Sequence, residues 1–451
     1  MESPPNGDRS QNASHLRAVR RRRPARTRLL LLFLLVGLWM AAATSHRGAL
    51  QPVRAAANQT AAPTPVELRA VTRPAQPAVR RSTAVVDTRS SATPAASRVT
   101  VQPQPRRQPA AASTKVRRFT LLASGDVLSH TSVVERARAY GAASRRAFDF
   151  RPMFAAIRPI VSAADLAVCH LETPLSPSGR QLSGYPRFNA TPQLAAAIRH
   201  AGYDACSVAS NHSMDRGPHG VAGTLAVLDR AGLRHAGMAR SPREAEPSIL
   251  TVRGVRVALL SYTYGLNGFQ LPSQRPWLVN LLNPDRILAD ARAARRAGSE
   301  FTVVFLHWGQ EYRSAPTTAQ RTLATRLLAD PSVDLIVGHH AHVVQPVQRL
   351  HGKWVAFGMG NSLSAQSAAC CPASTQDGVL LQVAVARKQG RYVVEAVRYT
   401  PTWVEHPSYR IRPVLQTLGG GSASPAMRAA LRTSLRRTTT AIGRAARPAT
   451  P

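Results

Sequence analysis

Short apolar runs of strand length alternate with segments of helical periodicity between residues 119 and 418. Six of these runs read FTLLAS, DLAVCHL, DACSVAS, VRVALLSY, FTVVFLHW and VDLIVGHH. Apolar runs separated by helices are typical of an α/β domain with buried strands. The stretch from residue 354 to residue 405 shows strand patterns without helices, which indicates an antiparallel-rich second half. The alternation therefore predicts one large α/β domain, with a single core or two packed sheets.

Polar side chains follow five of these runs, where each predicted strand ends. They are Asp126; His170 and Glu172; Asn211, His212 and Asp215; His307 and Glu311; and His339, His340 and His342. Because loops converge at the carboxyl ends of strands in an open α/β sheet, we expect these side chains to share one site. Imidazole, carboxylate and amide oxygen together suit Mn, Zn or Fe better than Ca or Mg. A lone histidine after a strand is more often a hydrogen-bonded cap or a core residue than a ligand, so the predicted divalent metal site depends on the recurrence of these residues.

An uninterrupted apolar run from Leu29 to Ala43 follows an arginine-rich segment. Arginine on the N-terminal side keeps that end in the cytoplasm, so the following chain is expected to be exported. The run is shorter than the roughly 20 residues of a spanning helix, and it also fits a signal peptide. We expect a transmembrane signal anchor at residues 29–43, a cytoplasmic N-terminus at residues 1–28 and an extracytoplasmic C-terminal domain. Cleavage of the signal would instead secrete the protein.

Two segments lack the periodicity of a folded domain. Residues 44–117 and 419–451 are rich in small and polar residues, proline or arginine, and they are poor in aromatic residues. Such segments cannot bury enough apolar surface to offset their ordering entropy. We therefore predict a disordered linker at 44–117, a disordered basic tail at 419–451 and a folded domain at 118–418.

The chain carries a formal net charge of +36, from 59 Lys and Arg against 23 Asp and Glu. Residues 1–43, 44–118 and 419–451 contribute +6, +11 and +6, which leaves +13 for residues 119–418. That part contains no nucleic-acid recognition motif and no interleaving of basic and aromatic residues, so we expect no nucleic-acid partner. The charge is better explained by membrane topology and by attraction of a polyanion outside the cell.

The four cysteines leave two interpretations open. Cys169 and Cys206 lie inside strand-like runs, and Cys370 and Cys371 are adjacent in a predicted loop. A disulfide is compatible with an exported protein, but the two strand cysteines are equally well explained as small core residues.

The order of the polar motifs resembles the CapA family of capsule and poly-γ-glutamate synthesis proteins. That family is similar to the calcineurin-like metallophosphoesterases. The motifs are Gly125-Asp126, HLE at 170–172, SNHSMD at 210–215, HWGQEY at 307–312, GHHAHVVQ at 338–345 and GMGN at 358–361. The similarity extends from about Phe119 to about Glu405. It implies a calcineurin-like metallophosphoesterase fold, with two packed mixed β-sheets flanked by helices and a site at the strand ends.

The resemblance also implies individual roles. The implied metal ligands are Asp126, Glu172, Asn211, His307, His340 and His342. Glu172 stands where the phosphoesterases place a bridging aspartate, and His212 would be either a proton donor or a group that supports the ligands, oriented by Asp215. His339 is left out of the ligand set because the phosphoesterase pattern is His-x-His, although a change of register would bring it in.

Further candidates lie beside these motifs. Glu311 is a second candidate for proton transfer. The guanidinium of Arg187 suits a carboxylate or a phosphate, although an exposed loop arginine is an equal alternative. Trp308 and Tyr312 are candidates for an apolar substrate wall, although packing is the commoner role of such aromatics.

Three departures from the family patterns bear on the number of ions. The phosphoesterases carry Asp-x-His after the first strand, whereas the next histidine here is His130, four residues beyond Asp126. CapA-like sequences usually carry asparagine where this chain has His170, and Glu172 is longer than the bridging aspartate. These differences leave open whether the site holds two ions, one ion or only substrate.

We expect an exported CapA-like protein that acts in capsule or poly-γ-glutamate biosynthesis or export. Its expected partners are an anionic polymer such as poly-γ-glutamate, the membrane and a capsule synthase complex. Both a metal-dependent hydrolase and a non-catalytic partner that holds polymer remain open. The alternative is a general exported metallophosphoesterase unrelated to capsule, but the HWGQEY and GYPRFNATP blocks favour the CapA pattern.

Overall fold

The structure is a computed structural model that describes residues 118–449. The predicted cytoplasmic segment, signal anchor and linker, at 1–28, 29–43 and 44–117, lie outside the described residues. Within the described range, no helix is both long enough and apolar enough to cross a membrane.

The described residues form strands and helices in alternation, followed by a strand-rich part and two C-terminal helices. The strands are β1 (Arg118–Val127), β2 (Leu166–Leu171), β3 (Ala205–Ser207), β4 (Arg234–Ala236), β5 (Ser248–Val252), β6 (Val255–Thr263), β7 (Phe301–His307), β8 (Leu335–His339), β9 (Val347–Leu350), β10 (Lys353–Ala356), β11 (Asn361–Leu363), β12 (Asp377–Lys388), β13 (Arg391–Glu405), β14 (Arg410–Pro413) and β15 (Arg447–Pro448). The α-helices are α1 (Thr131–Ala143), α2 (Arg151–Phe154), α3 (Arg158–Ser162), α4 (Gln193–Ala201), α5 (Gly217–Arg230), α6 (Pro284–Arg296), α7 (Thr318–Ala329), α8 (Val414–Gly419) and α9 (Pro425–Ile442).

These strands form two mixed sheets. The main path of the first sheet is β14-β13-β12-β1-β2-β3-β4, with β11 beside β1 and β15 beside β13. In it, β1 to β4 are parallel, whereas β12, β13 and β14 pair antiparallel. The second sheet has the order β5-β6-β7-β8-β10-β9, with antiparallel pairs at its two edges. The predicted mixed α/β fold with two sheets and helices is confirmed.

The two sheets pack face to face around a shared core. Alternate residues of β1, beginning with Phe119 and Leu121, point into this core, whereas Leu122 points toward the helices. The ring of Phe119 meets that of Phe301 on β7 edge to face, with centroids 5.8 Å apart. Helices α1 to α5 cover the outer face of the first sheet, and α6 and α7 cover that of the second. Because both faces of the central strands are covered, their sequences are apolar without alternation.

Side-chain caps fix where the helices over the second sheet begin. The Asn283 side chain accepts a hydrogen bond from the backbone N–H of Arg286 at the start of α6. Thr317 and Gln320 form a reciprocal capping box at the start of α7. Such caps satisfy backbone N–H groups that have no partner within the helix. They therefore hold the loops that follow β6 and β7 near the edge where the polar motifs lie.

The prediction of a disordered tail at 419–451 is wrong for residues 425–448. Pro425–Ile442 is helical, and the Ser424 side chain caps it by accepting from Met427 N–H. The helix buries one face, which consists of Leu431, Ser434, Thr438 and Ile442. The many arginines of this segment made its composition typical of disorder. A few small or apolar residues at helical spacing are nevertheless enough to hold a helix in place when a neighbouring surface covers them.

The cysteine question is resolved by the pairing of β2 and β3. Cys169 and Cys206 stand opposite each other on these parallel neighbours and form a disulfide. Cys370 and Cys371 are not disulfide-bonded in the part of the chain that the structure describes.

Removal of the disulfide by the double substitution Cys169→Ala and Cys206→Ala should lower the free energy of unfolding by about 2–4 kcal/mol, because the crosslink restricts a long loop in the unfolded chain. Urea unfolding measures the loss, and Cys370→Ser with Cys371→Ser is the control with little expected effect. Alkylation of the denatured, unreduced protein should label two cysteines. Labelling of all four would contradict the crosslink.

The tail helix is tied to the first sheet by a two-point ion pair. Arg437 donates from Nε and Nη2 to the buried carboxylate of Asp377, at 2.6 and 2.8 Å. Arg437→Met should destabilise the protein by about 2–3 kcal/mol, because it leaves that carboxylate buried without its cation. Arg436→Met, at an exposed position of the same helix, is the matched control. Equal urea midpoints for the two variants would show that the ion pair contributes nothing.

Candidate metal centre

The polar motifs converge because both sheets direct strand ends to the same place. Asp126 and His170 are opposite each other on the parallel strands β1 and β2 of the first sheet. His307 and His339 are opposite each other on β7 and β8 of the second sheet. The loops that follow these strands and β3 supply the remaining side chains, as expected for the carboxyl edge of an α/β sheet.

Asp126 accepts hydrogen bonds from the segment that follows β8. Its Oδ1 lies 2.7 Å from Nδ1 of His339, and its Oδ2 accepts from the backbone N–H of His340 at 3.1 Å. Nδ1 of His342 lies 3.2 Å from the same Oδ2. Burial would raise the pKa of Asp126, but the hydrogen bonds from His339 and His342 outweigh it and hold that pKa well below its usual range. Asp126 is therefore an ionised acceptor at the base of the site.

Glu172 is buried, and neither of its carboxylate oxygens has a hydrogen-bond partner among residues 118–449. Its Oε1 lies 3.8 Å from Nε2 of His307 and 3.7 Å from Nε2 of His342. Burial raises the pKa of Glu172 well above its usual value. A carboxylate in this position is costly unless a cation compensates its charge.

Two buried histidines present nitrogen atoms to the same space. Nε2 of His307 lies 2.7 Å from Oδ1 of Asn211. Nδ1 of His340 has no partner among the described residues, and its ring lies 4.7 Å from that of His307. Burial lowers the pKa of His307 and brings that of His340 to about 3. Both imidazoles are therefore neutral, which is the form that binds metal ions.

His342 carries the positive charge of the site in the absence of an ion. Burial would lower the pKa of His342, but the carboxylates of Glu172 and Asp126 raise it to about 9. Its Nδ1 also lies 3.1 Å from Oδ1 of Asn361. A divalent cation held by Asp126 and Glu172 would supply the counter-charge in place of the imidazolium.

The donor atoms are close enough together to bind a metal ion. Within each of four groups of side chains, donor atoms lie within 4.8 Å of one another: Asp126, His170 and His339; His170, Glu172 and His307; Glu311, His340 and His342; and Asp126, Glu172 and His342. Together with the unpartnered oxygens of Glu172 and the unpartnered Nδ1 of His340, this donor set fits a divalent metal. The structure thus brings all six predicted ligands together.

The candidate proton donor, His212, contacts Asp215, as the family resemblance implied. Nδ1 of His212 lies 2.8 Å from Oδ2 of Asp215, and that oxygen also accepts from the backbone N–H of Phe188 at 2.7 Å. Asp215 therefore fixes the imidazole ring of His212. The second candidate, Glu311, is exposed and shares a donor group with His340 and His342.

The candidate substrate residues differ in position. Trp308 is 2% exposed, and its Nε1 donates to the carbonyl of Phe357, so the ring packs against the core. Arg187 is exposed and lies over the ring of Phe269, at 4.7 Å. Tyr312 is 38% exposed, with its ring 6.3 Å from that of His342. Of these three candidate substrate residues, Tyr312 is the one whose side chain lies beside the predicted ligands.

Sequence reasoning placed His170 and His339 at the site but outside the implied ligand set, and it missed Tyr264. His339 contacts Asp126, and His170 contacts His307. Tyr264 is 49% exposed, and its ring lies 4.5 Å from that of His340. No polar sequence motif marks Tyr264.

A cavity of about 660 Å³ opens beside Tyr264 and Trp308 at this edge of the second sheet. The side chains of Leu282 and Leu323 line it, and Arg326 lies at its margin. Its volume is within the range of small-molecule pockets.

Glu172→Gln should abolish metal-dependent stabilisation while leaving the metal-free protein at least as stable as wild type, because it removes a buried carboxyl group that has no partner. The measurement is thermal unfolding with Mn and with a chelator, combined with metal content by mass spectrometry. Glu135→Gln, on the exposed face of α1, is the control. A full metal-dependent shift in the Glu172 variant would contradict ligation by this residue.

The chain is similar to known proteins of bacterial capsule synthesis. The family model described as "Bacterial capsule synthesis protein PGA_cap" matches residues 120–366. The PGA biosynthesis protein CapA of Bacillus subtilis is 26% identical over 275 residues, which are 59% of this chain and 70% of that protein. The capsule biosynthesis protein CapA of Bacillus anthracis is 26% identical over 291 residues, which are 62% and 67% of the two chains. Among solved structures, the 5'-nucleotidase precursor from Thermus thermophilus aligns with a TM-score of 0.40 and 16% identity, over 71% of this chain and 59% of that one.

The matched region covers more than half of the chain and contains every candidate metal ligand. The expected kinship with CapA is confirmed, and the chain belongs to the family of bacterial capsule synthesis proteins.

Proposed function

We propose that this protein is an exported, metal-dependent hydrolase that acts on an anionic capsule polymer such as poly-γ-glutamate. The observation that carries the proposal is the buried carboxylate of Glu172, which has no hydrogen bond from the described residues and lies among histidine donors. A buried carboxylate without a hydrogen bond is an expensive arrangement for a protein that only holds polymer. The names of the Bacillus relatives supply the polymer class.

The metal ions would be held by six residues: Asp126, Glu172, Asn211, His307, His340 and His342. Mn, Zn or Fe would activate water and polarise the oxygen of the bond that is cleaved. The side chain of Asn211 is held in place for this role, since its Nδ2 donates to Oδ1 of Asn267 at 3.1 Å. Its Oδ1 is thereby directed toward His307.

His212 is the group that would supply a proton to the leaving atom. Its Nδ1 is committed to Asp215, so Nε2 is the atom that would donate. The neighbouring ring of Phe188, edge to face at 4.7 Å, restricts the imidazole further. A positioned proton donor of this kind contributes about 10²–10⁴-fold to rate.

Tyr264 and Tyr312 would contact the polymer at the margin of the site. Burial raises the pKa of Tyr264 to about 12, and burial together with Glu311 raises that of Tyr312 as well. Both phenols therefore stay neutral, and they can donate hydrogen bonds to carboxylates without charge repulsion. Arg187 and the net charge of +13 between residues 119 and 418 would attract the polyanion.

The location proposed for this activity is outside the cytoplasmic membrane. The disulfide between Cys169 and Cys206 supports an oxidising compartment. Residues 29–43 would anchor the protein in the membrane, next to a capsule synthase complex. The proposed anchoring rests on the sequence pattern. Separation of the membrane fraction from the culture medium tests it.

The activity is tested by incubation of the full-length protein and Mn with poly-γ-glutamate, followed by size-exclusion chromatography. We expect the polymer to shorten, and we expect His212→Gln to slow this reaction by at least about 100-fold. His200→Gln, at an exposed position of α4, is the matched control. Binding of the polymer without shortening, by metal-loaded wild-type protein, would favour a non-catalytic partner instead.

A second candidate function is hydrolysis of a phosphoester, and the unit formed by Asn211, His212 and Asp215 favours it. An amide ligand beside a carboxylate-oriented histidine suits a phosphoryl group as well as an amide carbonyl. Turnover of a chromogenic phosphodiester that requires both Mn and Asn211, with intact poly-γ-glutamate in the same assay, would identify this activity. Turnover that survives Asn211→Ala would reject it.

A further inference from the structure

Two buried histidines stack beneath the proposed metal ligands. The rings of His170 and His339 lie 4.0 Å apart between centroids, with 12° between their planes. His170 belongs to β2 of the first sheet and His339 to β8 of the second, so the stack spans the space between the sheets. Both side chains are about 1% exposed.

Each ring contacts a metal ligand that belongs to the opposite sheet. His339, on the second sheet, contacts Oδ1 of Asp126, on the first sheet, through its Nδ1 at 2.7 Å. His170, on the first sheet, contacts Nδ1 of His307, on the second sheet, through its Nε2 at 3.0 Å. The stack thus forms two crossed links between the halves of the site.

His170 belongs to a chain of hydrogen bonds in which every donor has an acceptor. When Nε2 of His307 serves as a metal ligand, Nδ1 of that ring carries the proton and donates to Nε2 of His170. Nδ1 of His170 then donates to Oγ of Ser207, 2.8 Å away, and that hydroxyl donates to the carbonyl of Cys169 at 3.3 Å. This pattern leaves no buried donor without an acceptor along the chain.

We propose that His170 and His339 are positioning residues for the metal centre, and that His170 selects the tautomer in which Nε2 of His307 is the ligand. Partners of this kind fix ring orientation and raise the basicity of a ligating histidine. The inference rests on the proposed metal binding, but it concerns residues outside the predicted ligand set. His170 would act through His307 and His339 through Asp126, and neither would touch substrate.

A packing role for the stack makes a different prediction. If the rings served only to fill space, phenylalanine would replace His170 without loss, since it preserves a flat ring in contact with His339. Glutamine would then be the poorer substitute, since it has no ring. The positioning role predicts the reverse order, because the glutamine amide can reach the position of Nε2 and hydrogen-bond His307.

The test compares His170→Phe and His170→Gln in the full-length protein. Affinity for Zn is measured by competition with a chelating dye, and the Co-substituted spectrum reports the ligand geometry. We expect the phenylalanine variant to bind 10–100-fold more weakly than wild type with an altered Co spectrum, and the glutamine variant to stay within about threefold of wild type. His406→Phe, at a partly buried histidine bonded to the Ser364 carbonyl, is the control.

Wild-type affinity in the phenylalanine variant would overturn the inference and leave the proposed metal binding intact. Absence of Zn binding by the wild-type protein would instead overturn the proposed function. Thermal unfolding of the metal-free proteins shows whether each variant folds. If His170→Phe does not fold, Ser207→Ala decides: weaker Zn binding supports the chain of hydrogen bonds, and unchanged binding overturns it.

Discussion

The buried carboxylate of Glu172 is the constraint around which the site is organised. Its charge has no hydrogen bond from the described protein, so its compensation must come from an imidazolium or a bound cation. His342 provides the first kind of compensation, and the neutral imidazoles of His307 and His340 are suited to the second. The carboxylates of Glu172 and Asp126 keep His342 protonated, whereas burial keeps His307 and His340 neutral.

The two-sheet core makes this concentration of charge possible. Asp126 and Glu172 come from the first sheet, His307 from the second, and the packing of the sheets around Phe119 and Phe301 places their strand ends together. Because the ligands belong to separate sheets, a shift between the sheets would separate them. The crossed contacts of His339 with Asp126 and of His170 with His307 join the two sheets and oppose such a shift.

The C-terminal helix is connected to the site through hydrogen bonds. Arg437 holds Asp377 and the carbonyl of Ala373 at the start of β12. The neighbouring carbonyl of Thr375 accepts from Nδ2 of Asn361, whose Oδ1 faces His342. The tail that composition marked as disordered is thus connected to a proposed ligand through three contacts: Arg437 with Ala373, Thr375 with Asn361, and Asn361 with His342.

The sequence by itself determined the α/β class and the recurrence of ligand-type residues at strand ends, because these follow from local periodicity, while the resemblance of its motifs implied the pairing of His212 with Asp215. Only the tertiary structure decided that His339 meets Asp126, that His170 stacks on His339, that Trp308 faces the core and that Pro425–Ile442 is folded. Each of these depends on which surfaces the two sheets and the last helix bring into contact. Contacts between distant segments carry no periodic signal in the chain, so the packing of the sheets had to be known before they could be assigned.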